Sequence, residues 1–357
     1  MARGRMSKRR ASLIGAIVGV GVAAAGVAAG VAAERYVRRS RDHVDDPYAG
    51  ERFGELPCDE ELTVISDDGV DLHVEIVEAL DPDSSDLTLV FVHGFCLDMG
   101  TFHFQRVALD GEYRMVFYDQ PGHGRSGRLP QGEYLLEALG AALYSVVTKV
   151  VPTGRIVLIG HSMGGMTIMA LAEHAPKLFA ERVAGVVLIA TSAGNLDEVN
   201  FGLPEVVARF RRPLMPLIRN AGRLTAGVVD RARAASTDLA WLLTRRYGFG
   251  TQRPSAALVS YVERMNSRTS TEVIARYLRT LYSHARLLAL AALRSVPVLV
   301  VVGDTDVLTP LAHSEEICRE LPDARLVVIE GGGHVVMLEH ADEVNAALAA
   351  FLTRVAQ

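Results

Sequence analysis

Short apolar runs that alternate with helix-length segments are the feature that most restricts how this chain can fold. The runs are four to seven residues long and rich in Val, Ile and Leu, and they lie at 87–92, 115–118, 156–159, 186–189, 296–302 and 326–329. Runs of this kind are typical of strands buried on both faces, as in a parallel sheet covered by helices. Amphipathic helical patterns lie at 132–150, 163–174 and 341–355. The alternation predicts the α/β class, with ligands bound at the carboxyl ends of the strands.

The pattern changes at two places, which sets the expected domain boundaries. Residues 62–65 and 72–78 flank the turn signal Asp67-Asp68-Gly69, so a β-hairpin is expected to open the sheet. Between about 195 and 290 there are helical stretches with Gly and Pro but no strand pattern. We therefore expect a mostly parallel α/β core at 59–194 and 291–357, with a helical insertion at 195–290.

The first 41 residues predict a basic membrane anchor or signal segment that is separate from the fold. Residues 11–33 carry no charge and have basic flanks, and a helix of that length spans about 34 Å, enough for a hydrocarbon core of ~30 Å. A retained single-pass anchor of undecided orientation is the favoured interpretation. A cleaved secretory signal, or a twin-arginine export signal at Arg9-Arg10, stays open as an alternative. The polar segment 42–58 is expected to be a tether.

Charge and cysteine content exclude several classes of protein. Residues 1–41 contain nine Lys or Arg and one acid, which leaves the rest of the chain with a net charge of −13. No nucleic-acid partner is expected, because neutralising phosphates needs clustered cations. The cysteines are far apart in sequence, with no C-x-x-C pair, which argues against a disulfide framework and a thiolate metal site. They are Cys58, Cys96 and Cys318.

The strongest chemical signal is Gly160-His161-Ser162-Met163-Gly164-Gly165, which directly follows the run 156–159 and precedes a helical pattern. This is a G-x-S-x-G sequence in the context of a strand that turns sharply into a helix. Such a turn holds the serine Oγ above the sheet edge, and the helix N-terminus behind it favours developing negative charge. A serine that only caps the helix is the structural alternative, so the motif needs partners.

Two later loops contain an acid and a base that suit this serine. The run 296–302 leads into Gly303-Asp304-Thr305-Asp306, and the run 326–329 leads into a glycine-rich segment that ends at His334. A serine hydroxyl is a weak nucleophile until a base takes its proton, and a histidine can do so near neutral pH. An aspartate behind the imidazole would hold its tautomer and stabilise the imidazolium. Asp304 and Asp306 are both candidates on chemistry alone.

The order of these motifs resembles the α/β-hydrolase superfamily in its serine-nucleophile branch, over residues 62–355. The resemblance implies an α/β-hydrolase fold that needs no cofactor or metal, with a triad of Ser162, Asp306 and His334. Asp306 is preferred because family members with the pattern Gly-x-x-Asp-x-x-x-Pro have the acid at this position. The resemblance also implies an oxyanion hole made by the backbone N–H groups of Met163 and Phe95, the latter in a segment similar to the family's His-Gly-x loop.

Other polar residues near these motifs are expected to have structural roles. His93 would brace the oxyanion loop, Asp119 would bond backbone amides, and Asp304 would make turn hydrogen bonds. His123 is a second candidate base, but His334 already occupies that place in the family order. His340, which lies six residues after His334, is interpreted as structural.

In the family, an insertion such as 195–290 is a helical cap that shapes the substrate pocket. Here residues 195–286 contain 15 arginines, no lysine and seven acids, with aromatic residues interleaved. They form either an ordinary solvated face or a basic cap that admits a lipid-like ester beside an anionic bilayer, with residues 11–33 as the membrane contact. The expected function is a serine hydrolase that cleaves a carboxylic ester through an acyl-enzyme. An acyltransferase, a carbon–carbon bond hydrolase or a perhydrolase-like enzyme on the same triad stays open, as does a non-catalytic binding module of the same fold.

Overall fold

One eight-stranded sheet forms the centre of the computed structural model, which describes residues 46–81, 86–130, 134–196, 199 and 237–357. Its strands, in chain order, are β1 (Glu60–Ile65), β2 (Asp71–Val77), β3 (Leu87–Val92), β4 (Arg114–Tyr118), β5 (Arg155–His161), β6 (Val183–Ile189), β7 (Val298–Gly303) and β8 (Arg325–Ile329). Their spatial order is β1-β2-β4-β3-β5-β6-β7-β8. The reversal of order around β3 and β4 brings the end of β3 beside the end of β5, where the motif residues lie.

The sheet is mostly parallel, as expected. Strands β1 and β2 form an antiparallel hairpin, and β2 also pairs with β4 in the antiparallel sense. Every further pairing, from β4–β3 to β7–β8, is parallel. The turn between β1 and β2 contains Gly69 at φ +75°, a conformation that glycine adopts without a Cβ penalty. The predicted α/β fold class with an opening hairpin is therefore confirmed.

Helices cover both faces of this sheet. They are α1 (His103–Ala108), α2 (Leu136–Val150), α3 (Met163–His174), α4 (Pro176–Glu181), α5 (Thr237–Gly248), α6 (Ala256–Arg268), α7 (Thr271–Tyr282), α8 (Leu290–Leu293), α9 (Leu311–Glu320), α10 (Val336–Glu339) and α11 (Ala341–Ala356). Alternate residues of the central strands enter two apolar cores, so Val90 and Leu158 pack in one and Phe91 and Ile159 in the other. Burial on both faces explains the continuous apolar runs of β3 and β7, whereas β8 has only one strand neighbour and buries Ile329 alone.

Helices α5, α6 and α7 lie between β6 and β7 in the chain. The two ends of this insertion are joined to each other, because Gly194 and Ala285 form an antiparallel bridge and the Arg286 N–H donates to Ala193 O at 2.6 Å. His284 Nε2 adds a contact of 2.9 Å to Ser192 O. Much of the predicted insertion, at 197–198 and 200–236, lies outside the described residues, so its boundaries stay a prediction.

Residues 46–58 of the expected tether lie within the described part of the chain. The described part of the expected tether packs against α6: Asp46 accepts hydrogen bonds from Ser255 Oγ at 2.7 Å and the Ala257 N–H at 2.9 Å. Phe53 is buried and stacks on Tyr261, with ring centroids 4.6 Å apart. Asp46 and Phe53 therefore fix this segment to the insertion, because each has a partner about 200 residues away in sequence.

The predicted single-pass membrane localisation is contradicted. The predicted anchor at 11–33 lies outside the described residues, and within those that are described no helix is both long and apolar enough to span a bilayer. The longest of them, α11, has 16 residues, which corresponds to about 24 Å and falls short of a hydrocarbon core of ~30 Å.

Candidate active site

Ser162 occupies a one-residue turn between β5 and α3. Its backbone has φ 52° and ψ −117°, a left-handed conformation that costs a non-glycine residue free energy and is held here by tight packing. A Cβ added at Gly164 would overlap the carbonyl oxygen of Val92, so only glycine lets α3 approach β3 this closely. The Ser162 N–H donates to Ile189 O at 2.9 Å. These contacts hold the serine at the carboxyl edge of the sheet.

The structure brings the three predicted triad residues together at this edge. His334 Nε2 lies 2.9 Å from Ser162 Oγ, and His334 Nδ1 lies 2.8 Å from Asp306 Oδ2. All three residues are buried, with 4–8% of their surface exposed. Because the carboxylate can only accept, the proton sits on Nδ1, which leaves Nε2 to accept from the serine hydroxyl.

The Asp306 carboxylate is fixed by its own loop. Its Oδ1 accepts the Leu308 N–H at 2.8 Å and the Thr309 N–H at 3.0 Å, and its Oδ2 accepts from Thr309 Oγ at 2.8 Å. The carboxylate therefore has one remaining direction for the imidazole. Sequence reasoning missed Thr309, although its position between the acid and Pro310 places it in the turn that the acid must shape.

Asp304, the rival acid, binds the backbone of the histidine loop (residues 331–335, after β8) instead of binding the imidazole. Its Oδ1 accepts the Gly331 N–H at 2.8 Å. Beside it, Thr305 Oγ donates to Gly332 O at 2.7 Å. The loop after β7 and the loop after β8 are thus hydrogen-bonded to each other, which fixes the position of the candidate acid relative to the candidate base.

The two candidate oxyanion donors flank Ser162. Met163 is the first residue of α3, so its N–H has no acceptor within the helix. Phe95 follows Gly94, where an added Cβ would lie 3.2 Å from Ser162 Cβ, so this loop lies directly against the serine. His93 braces the loop: Nδ1 donates to Gly94 O and Nε2 accepts the Gln120 N–H, both at 2.8 Å. Burial lowers the pKa of His93 to about 3, which keeps the ring neutral.

The loop after β4 supports the oxyanion loop. Asp119 accepts the Met99 N–H at 3.0 Å and the Arg125 N–H at 2.7 Å, and burial raises its pKa to about 7. His123 Nδ1 donates to Pro121 O at 3.1 Å, and burial lowers its pKa to about 4. A ring with that pKa is a poor base at neutral pH, and it contacts Phe95 instead of the triad, with ring centroids 6.0 Å apart.

Two histidines outside the triad differ in their relation to it. His161 Nε2 donates to the backbone carbonyl of His334 at 2.9 Å, and burial holds the pKa of His161 well below its ordinary value. Sequence reasoning missed this contact, although the position of His161 between strand and nucleophile was the available signal. His340 faces Glu343 within the first turn of α11, at 3.4 Å.

A serine at a strand–helix elbow, hydrogen-bonded to a histidine that is itself hydrogen-bonded to an aspartate, is the arrangement on which serine hydrolases depend. The profile of the alpha/beta hydrolase family matches residues 89–347, and the chain belongs to that family.

Similar proteins agree with this membership. The chain is 31% identical over 280 residues to the dihydrolipoyllysine-residue acetyltransferase component of the acetoin cleaving system of Pseudomonas putida, covering 74% of this chain and 63% of that protein. It is 24% identical over 269 residues to 3-oxoadipate enol-lactonase 2 of Acinetobacter baylyi, covering 74% and 88%. Among solved structures, a thermophilic esterase from Thermogutta terrifontis has a TM-score of 0.64 and 25% identity, covering 84% of this chain and 100% of that one.

Proposed function

We propose that the chain is a serine hydrolase that cleaves a carboxylic ester through an acyl-enzyme. Ser162 is the nucleophile, His334 the general base and acid, and Asp306 the group that orients the imidazole. The observation that carries the proposal is the continuous hydrogen-bonded chain from Asp306 Oδ2 through the ring to Ser162 Oγ, with steps of 2.8 and 2.9 Å. Membership of the alpha/beta hydrolase family and the likeness to a solved esterase support it.

Acylation follows from the positions of these groups. Ser162 Oγ attacks the ester carbonyl carbon while its proton passes to His334 Nε2, and Asp306 stabilises the imidazolium that results. The N–H groups of Phe95 and Met163 donate to the oxyanion; each such donor is worth roughly 10²–10³ in rate in other enzymes. The imidazolium then returns its proton to the alkoxide as the carbon–oxygen bond breaks, which releases the alcohol.

Deacylation repeats these steps with water. His334 Nε2 takes a proton from a water molecule, whose oxygen attacks the acyl carbon, and the same proton then passes to Ser162 Oγ as the acid leaves. The reaction consumes one water and returns the triad to its starting state. The family's chemistry at this site needs no cofactor.

The proposal includes a cap formed by the insertion. Tyr277 of α7 donates to Pro121 O at 2.9 Å, and its ring lies against Phe95, with centroids 6.3 Å apart. An inserted helix thus reaches the loop that carries a proposed oxyanion donor. We expect side chains of this cap to set the acyl length that the site accepts, and the proposal extends to lipid-like esters.

Hydrolysis of p-nitrophenyl esters of increasing acyl length tests the proposal. We expect turnover by the wild-type chain, a preferred chain length, and loss of turnover in Ser162→Ala. Ser267→Ala, a change on the exposed side of α6, is the matched control and should keep wild-type rates. A folded wild-type chain that turns over none of these esters would favour the non-catalytic binding module of the same fold.

Acyl transfer to an acceptor other than water is a second candidate, favoured by the acetyltransferase component among the similar proteins. The chain spans less than two thirds of that relative, and the same acyl-enzyme would serve both reactions. Hydrolysis in ¹⁸O-labelled water, with and without an added alcohol or thiol, separates the two. Labelled acid as the sole product supports the hydrolase, and preferential formation of a new ester or thioester supports the transferase.

A further inference from the structure

The backbone of the loop that carries His334 is hydrogen-bonded at three successive residues. The Gly333 N–H donates to Glu339 Oε2 at 2.7 Å. The His334 carbonyl accepts from His161 Nε2 at 2.9 Å, and the Val335 N–H donates to Gly248 O at 2.9 Å. The backbone on both sides of the proposed base is therefore restrained by groups that lie elsewhere in the chain.

The Glu339 carboxylate also binds the insertion. Its Oε1 accepts the Thr251 N–H at 2.8 Å, and both of its oxygens lie 3.0 Å from the Gly250 nitrogen. One half-buried carboxylate thus collects N–H groups from the histidine loop and from the segment that follows α5. Hydrogen bonds to a charged acceptor are roughly twice as strong as neutral ones.

The two backbones that Glu339 joins are packed without spare room. A Cβ added at Gly333 would overlap the Gly250 nitrogen and lie 2.7 Å from Gly248 O. There is no space for a side chain between these two backbone segments. Residues 248–250 therefore pack directly against Gly333, the residue that precedes His334.

We propose that Glu339 is a positioning residue for the proposed hydrolysis. It couples segment 248–251 of the insertion to the loop that carries His334. The inference rests on the proposed function. Glu339 holds the imidazole within hydrogen-bonding distance of Ser162 Oγ without contacting the substrate. A displacement of the base by about 1 Å can cost roughly 10² in rate, so the contact matters for turnover.

The test compares Glu339 with Asp46, a carboxylate that also binds the insertion. Asp46 accepts from Ser255 Oγ and the Ala257 N–H, and its contacts are on α6 instead of the histidine loop. Glu339→Ala, Glu339→Gln, Glu339→Asp and Asp46→Asn are assayed with p-nitrophenyl acetate, below the unfolding temperature of each variant. Inactivation by a fluorophosphonate gives a second rate that depends on the same serine and histidine.

We expect Glu339→Ala to lower kcat and the inactivation rate together, by about 10- to 100-fold, with KM changed less than about 2-fold. Glu339→Asp should recover part of the loss, and Glu339→Gln should fall between them. Asp46→Asn should lower Tm while kcat stays within about 2-fold of wild type. The proposal is overturned if folded Glu339 variants keep wild-type kcat, or if kcat falls in Asp46→Asn to the same extent.

A spectroscopic readout separates this proposal from the proposed function. The proton on His334 Nδ1, hydrogen-bonded to Asp306, is expected as a downfield NMR resonance that disappears in His334→Gln. In Glu339→Ala the resonance should shift or broaden, and in Asp46→Asn it should stay unchanged. If the wild type hydrolyses no ester, this measurement still tests the positioning role, because an unchanged resonance in Glu339→Ala rejects it.

Discussion

The serine elbow (residues 160–165) and the histidine loop (residues 331–335) hold their reactive groups in different ways. The elbow is local: one residue, Ser162, joins β5 to α3, and its backbone angles follow from the glycines around it. The histidine loop owes its position to distant groups, including Asp304, Glu339 and the Gly248 carbonyl.

This difference bears on how each region fails when it is changed. Replacing a glycine next to the nucleophile acts through sterics and backbone strain, and so appears first as a change in stability. Replacing a partner of the histidine loop leaves the fold in place but frees the imidazole, and so appears first as a change in rate. The following predictions, ordered by expected effect, test this contrast.

The largest contrast lies within the loop after β7. Asp306→Asn should lower kcat by about 10⁴, because the imidazole loses the carboxylate that sets its tautomer. Asp304→Asn should lower kcat by no more than about 10-fold, since asparagine Oδ1 can still accept the Gly331 N–H that Asp304 binds. Ester hydrolysis by the two purified variants measures both. A greater loss in Asp304→Asn would transfer the role of the acid to that residue.

Two glycine replacements compare crowding at the elbow with an open turn in the histidine loop. Gly164→Ala should lower the free energy of unfolding by ~1–3 kcal/mol, because its Cβ meets the Val92 carbonyl. Gly331 has φ +70° with no atom within 4 Å of an added Cβ, so Gly331→Ala should cost about 1 kcal/mol from backbone strain alone. Urea denaturation measures both, and equal costs would show that the elbow is not crowded.

Strain at the nucleophile itself is isolated by comparing Ser162→Gly with Ser162→Ala. Both variants lack the hydroxyl, and only glycine adopts φ 52° without a steric penalty. Ser162→Gly should therefore be more stable than Ser162→Ala by about 1 kcal/mol. A thermal unfolding comparison decides it; an alanine variant as stable as the glycine variant would mean that the elbow stores no strain.

The pH dependence of the free energy of unfolding tests how the oxyanion loop is supported, because His93 and His123 are buried and neutral there. Burial lowers their pKa values to about 3 and about 4, so between pH 6.5 and 4 the unfolded chain binds more protons than the folded one. The free energy of unfolding should therefore fall as the pH falls through this window. Asp119 opposes this trend, because burial raises its pKa to about 7 and the folded state retains that proton.

His123→Asn measures the contribution of one ring, since the asparagine amide can still donate to the Pro121 carbonyl that His123 binds. Between pH 6 and 4.5 the variant should lose stability with a slope shallower by about one proton than that of the wild type. Urea titrations at several pH values give the slope. A slope identical to that of the wild type would mean that His123 is protonated in the folded state.

Much of the fold follows from the sequence because its causes are local. Continuous apolar runs predict the central strands, and the predicted helix at 163–174 coincides with α3. The edge strand β8 departs from the pattern, since its outer side lacks a partner and its residues stay more exposed. The elbow is also predictable, because its strand, turn and helix are contiguous.

The remainder depends on contacts between segments that are far apart in sequence. Glu339 meets Gly250 across 89 residues, and Asp46 meets Ser255 across 209, so neither residue carries a local pattern that predicts its partner. The contact of His161 with the His334 carbonyl is of the same kind. The prediction of a single-pass membrane anchor was wrong, since no helix among the described residues is long and apolar enough to cross a bilayer.

The most direct measurement is the mass-spectrometric location of a fluorophosphonate adduct on the folded chain. One adduct should form on Ser162, at a rate that falls sharply in His334→Gln and Asp306→Asn. A folded wild-type protein that stays unmodified, or that carries the adduct on a different residue, would contradict the assignment of this serine as the nucleophile.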